Sequence, residues 1–195
     1  MSKKFNSTEI RDFLTPQRKP AFMESCNVEA WTQTMGDITM VKVDELCCKM
    51  IGALRGIHTW YHTAHVLAKG TGFAGDHVHL YGEIYNEITD QLDGTMEKIL
   101  GLLNEESLIC PRKITSHSLE LLEMYDGPSD KSGHEIAQIA LQIEKDFLTA
   151  MEILYKVAKA HEMMTLGLED FITGLANTHE RYVYLLQQRV KSNRD

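Results

Sequence analysis

Apolar side chains recur along this chain at intervals of three and four, the spacing that gathers them on one face of an α-helix. Met40, Val43, Cys47, Ile51 and Leu54 form the first stripe, and its continuation reaches His58, His62 and His65. One helical face thus passes from apolar to imidazole without a break. The spacing predicts a helix from about Asp37 to Lys69, stopped by the two glycines of Lys69-Gly70-Thr71-Gly72. A second stripe, Leu80, Ile84, Ile88, Leu92, Met96, Ile99 and Leu103, predicts a helix beginning near Phe73 or Asp76. Ile136, Ala140, Ile143, Phe147, Met151 and Leu154 predict a third, from about His134 to His161. Phe171, Ile172, Leu175, Val183 and Leu186 predict a fourth, from Leu168 to about Arg189.

Between the second and third helices lies a long connector, with Pro111 ahead of a short helical stretch from Ser116 to Met124. Tyr125 to Gly133 then reads as a loop from its Asp, Gly, Pro and Ser content. No strand-like alternation competes. Two tight connections and one long crossover containing a short helix resemble the ferritin-like four-helix bundle, an all-α architecture. The expected division is an N-terminal arm over residues 1–36 and the bundle over residues 37–190.

Composition supports this and narrows the function. The 195 residues are 43% hydrophobic and 25% charged, with only four prolines, as expected of a helical globular chain that buries its own core. The formal charge of -8 repels phosphate backbones, so DNA is a disfavoured partner. Contact through the basic termini, Lys3-Lys4, Arg18-Lys19 and Arg189 to Arg194, stays open. Cys26, Cys47, Cys48 and Cys110 have neither zinc-knuckle nor disulfide-scaffold spacing. With no signal-peptide pattern and no apolar run of spanning length, the expected setting is cytoplasmic and away from membranes. Phosphate-loop, nucleophile-elbow and dinucleotide motifs are absent.

The chemistry concentrates on the second helix. At about 100° per residue, His79, Glu83, Asp90, Asp93 and Glu97 share an arc about 80° wide, while His77 falls nearly opposite His79. Stacked carboxylates repel one another unless a cation lies between them, and imidazole with carboxylate suits iron, manganese or zinc. Some subset of His58, His62, His65, His79, Glu83, Asp93 and Glu97 is therefore expected to bind metal. The competing reading is a solvated acidic face with histidines packed at a helix end.

The run from His65 through Lys69-Gly70-Thr71-Gly72-Phe73 to His77, followed by Tyr85, Asp93 and Glu97, resembles the Dps-like mini-ferritins, including their divergent phage-encoded branch. His179-Glu180 with Tyr184-Leu185-Leu186 is similar to that family's last helix. The resemblance implies ferrous iron binding, oxidation by peroxide or dioxygen, and storage in a closed homo-oligomer, a dodecamer in that family. It implies a di-iron ferroxidase site with His65, Asp93 and Glu97 as catalytic ligands, Glu97 bridging, and the remaining ligands from a neighbouring subunit. By the motif that remainder begins at His77, but the His77 to Asp93 spacing is one residue longer than the family's. The next acidic ligand falls on Tyr81. His79 and Glu83, four apart on the carboxylate face, are therefore preferred, with His77 second and His58 and His62 as ligands of an additional metal. Two other readings remain: a non-catalytic ferritin-like structural or interaction protein with at most a structural metal, and a single-chain di-metal enzyme using Glu144.

Overall fold

The computed structural model describes residues 43–191. The expected N-terminal arm, the first residues of the first predicted helix, Cys26 and the basic groups at both ends other than Arg189 and Lys191 lie outside them. Among the described residues the fold is entirely helical. Its elements are α1 (Val43–Leu67), a π-helical segment (Gly75–Tyr81) that runs directly into α2 (Gly82–Leu103), a 3-10 turn (Glu106–Ile109), α3 (Pro111–Leu122), α4 (Gly133–Ala160) and α5 (Leu166–Lys191).

Local chemistry sets the ends. Gly70, at φ +82°, reverses the chain after α1, a conformation an L side chain rarely adopts. Asn104 closes α2 in the left-handed region, its N–H donating to the Leu100 carbonyl. Pro111 opens α3, where a missing N–H costs nothing. Ser132 and Glu135 form a capping box at the start of α4, the serine oxygen accepting from the Glu135 N–H and the glutamate accepting from the Ser132 N–H.

The core joins all the long helices. Ile51, Leu54, Ile57 and Tyr61 of α1, Ile84 and Ile88 of α2, Phe147 of α4 and Leu186 of α5 are buried essentially completely. α1 packs on α2, α3 and α4, while α4 packs on α5. α3 is more than a connector: a Cβ placed on Gly52 would lie 2.3 Å from the His117 Cβ, and one on Gly56 would lie 3.0 Å from the Ser118 carbonyl oxygen. The two glycines, four apart on α1, make the groove in which α3 rests. No helix among the described residues is long and apolar enough to cross a membrane.

A part-buried ion pair fixes the end of the fold that carries the α1 turn. Arg189 near the end of α5 grips Asp76 through Nε, at 2.7 and 3.0 Å, and through Nη2, at 2.8 Å. Gly72 and Gly133 leave room for this fork, since a Cβ on either would approach the guanidinium to 2.9 or 3.1 Å. The turn after α1, the π-helical segment, the α4 N-terminus and the end of α5 are thereby held together.

Candidate functional site

The π-helical segment decides which histidines meet. A π turn closes over five residues where an α turn closes over four, so it absorbs one extra residue. Here the Gly82 N–H donates to the His77 carbonyl, five positions back. The π turn thus lies within the stretch from His77 to Asp93. The same carbonyl accepts from His65 Nδ1 at 2.5 Å, and His77 Nδ1 donates to the His65 carbonyl at 2.7 Å. The two imidazoles stack, centroids 3.9 Å apart and planes within 15°, and Phe73 stacks on the far side of His77 at 5.0 Å. Gly82 makes this possible, because a Cβ there would sit 2.6 Å from the His77 oxygen and 3.2 Å from His65 Nδ1.

A carbonyl oxygen can only accept, so each Nδ1 carries the proton. In the neutral rings each Nε2 then holds a free lone pair, the arrangement in which one ring nitrogen is oriented by the backbone and the other is left to coordinate. Tyr85 stands beside this pair, 5.1 Å from the His65 ring, and also meets His62 at 5.0 Å and His58 at 5.9 Å. His58 is half-buried and its pKa is lowered, first by burial and then by the charges of Arg55 and His62.

The other expected ligands lie elsewhere. His79 and Glu83 are both exposed, with Nδ1 and Oε1 3.5 Å apart. His77, ranked second on spacing, is thus the histidine placed against His65, and His79 faces solvent. Asp93 and Glu97 are exposed on α2. At 1.5 Å per residue they lie about 12 and 18 Å along the axis from Tyr85, so one chain does not bring them to His65. Asp90 is exposed beside them. Among the described residues, no group of three or more His, Cys, Asp or Glu side chains is gathered closely enough to hold a metal ion.

Tyr81 occupies the position where the resemblance asks for an acid. It is fully buried, its ring 6.1 Å from that of Tyr61, and its hydroxyl has no hydrogen-bond partner among the described residues. Burial, followed by the charge of Asp76, raises its pKa above the ordinary phenol range. Tyr81 is therefore a neutral core residue.

The most buried polar group was not legible as a unit in the sequence. Glu144 of α4 and His179 of α5, both 0% exposed, meet at 2.5 Å through Oε2 and Nδ1. His179 Nε2 lies 3.1 Å from Gln91 Oε1. Tyr182 donates to Glu87, which also receives both bonds of Arg181 Nη2. The His179-Glu180 dipeptide directs attention to neighbours in sequence, whereas the partner of His179 comes from another helix, 35 positions away.

No protein-family model matches the chain, and no curated protein matches it.

Proposed function

We propose that this chain is a subunit of a mini-ferritin-like assembly that binds ferrous iron as its substrate and oxidises it at sites shared between neighbouring chains. In this reading the long helices form a ferritin-like four-helix bundle, with α3 in the crossover between α2 and α4. The observation that carries the proposal is the reciprocal lock of His65 and His77, which fixes both tautomers and leaves both Nε2 atoms as ligands. Two imidazoles alone hold a divalent ion weakly, and ferric iron requires anionic oxygen donors. Asp93 and Glu97 supply those donors from a second chain, so the site is completed by assembly. Manganese and zinc compete for the same donor set. Two ferrous ions provide the two electrons that one hydrogen peroxide accepts on reduction to water.

Anaerobic loading with ferrous iron followed by oxidant tests this reading. The H65A, H77A, D93A and E97A variants each lose the fast phase of oxidation, whereas H79A retains it. An unchanged rate in E97A or D93A would sink the proposal. A second reading, a non-catalytic structural member of the same fold class, is favoured by the buried Tyr81 and by the absence of a single-chain metal cluster among the described residues. An assembly that forms but takes up no iron would select it.

A further inference from the structure

We infer that His58 and His62 form a separate two-imidazole chelate for a borderline divalent cation such as copper or zinc on α1. The two side chains are four residues apart, the spacing that puts neighbours on one helical face with Cβ atoms about 5–6 Å apart. Their ring centroids are 6.3 Å apart and the planes are tilted by 45°. Two imidazoles at this helical spacing are a recurrent way of holding zinc, with metal–nitrogen distances of about 2.0–2.1 Å. Small side-chain rotations close the remaining gap, and His62 is exposed and free to make them. Neither ring makes a hydrogen bond to the described residues, in contrast to His65 and His77, whose Nδ1 atoms are committed to carbonyls. Tyr85 packs against both rings and limits their rotation without supplying a competing charge.

The donor set specifies the ligand class. Two neutral nitrogens with no protein carboxylate favour copper and zinc over magnesium or calcium, and copper over zinc by the usual order of divalent affinities. Water completes the coordination, because no third ligating side chain is gathered there among the described residues. The chelate therefore exchanges its ion readily. It lies one helical turn from His65 yet shares no ligand with the His65–His77 pair, and it stands whether or not the chain oxidises iron.

Copper titration of the full chain, followed by electron paramagnetic resonance, tests the inference. Wild-type protein and the H65A/H77A variant both show a copper signal split by two imidazole nitrogens, and H58A/H62A loses that ion. Circular dichroism checks that the variants remain helical. If the double variant does not fold, His62→Gln, at an exposed position and introduced into the H65A/H77A background, reduces the signal to one nitrogen. The inference fails if H58A/H62A binds as much copper as wild type, if His62→Gln leaves two nitrogens, or if the signal disappears only in H65A/H77A.

Discussion

His65 and His77 each give a ring N–H to the other's carbonyl, so the backbone sets both tautomers before any ion arrives. Removing either ring frees the carbonyl it served as well as one candidate ligand. The iron effect of H77A should therefore exceed that of H79A, whose side chain lies in solvent, when the oxidation rates of the two variants are compared. The cysteines separate by environment in the same residue-level way. The backbone N–H groups of Lys113 and Arg112 at the start of α3 lower the Cys110 pKa, while burial pushes Cys47 up to about 12. A lowered pKa places the reactive thiolate at lower pH. Iodoacetamide labelling across a pH series, read by peptide mass, should therefore modify Cys110 first and leave Cys47 unlabelled in the folded chain. Deep in the core, His179→Ala strands the Glu144 carboxylate. Breaking such a buried pair costs about 3–5 kcal/mol, measurable as a lower midpoint in urea unfolding.

At the scale of elements, the glycines report where helices touch. Gly82→Ala drives a methyl into the His77 carbonyl and opposes the π turn, and Gly52→Ala drives one into His117. Overpacking of this kind costs about 1–3 kcal/mol. Gly101, exposed on α2 with nothing within 4 Å of the place a Cβ would take, behaves oppositely. There Gly101→Ala should stabilise by up to about 1 kcal/mol through helix propensity alone. Thermal unfolding of the three variants checks the order. The long helices were legible because their apolar periodicity is strong, and their predicted limits agree closely with α4, with α5 and with the π-helical segment and α2 taken together. The packing of α3 was less so, since Gly52 and Gly56 carry no signal of which surface they admit. The π turn was invisible to a wheel drawn at a constant angle per residue. That one irregularity sets His77 against His65, while His79 stays beside Glu83.

For the whole molecule, the central consequence is that the proposed iron site cannot be finished by a single chain. His65 and His77 sit at one end of the α1–α2 pair, and Asp93 and Glu97 lie farther along α2. The carboxylate stripe was legible as one exposed face of α2 because charge and periodicity coincide on it, and metal binding there belongs to the proposal. The neighbouring chain that the proposal invokes entered through the resemblance alone, because helix periodicity within one sequence carries no information about a neighbour. Light scattering should therefore find an assembly and not a monomer. Mixing H65A/H77A chains with D93A/E97A chains during assembly should restore part of the fast oxidation that each lacks alone, because some interfaces then combine an intact half from each. The most direct measurement is the anomalous diffraction signal of a crystal grown with ferrous iron. The account predicts iron at His65 Nε2 and His77 Nε2 of one chain together with Asp93 and Glu97 of another. Iron held by residues of a single chain, or an assembly whose His65–His77 pair binds none, would contradict it.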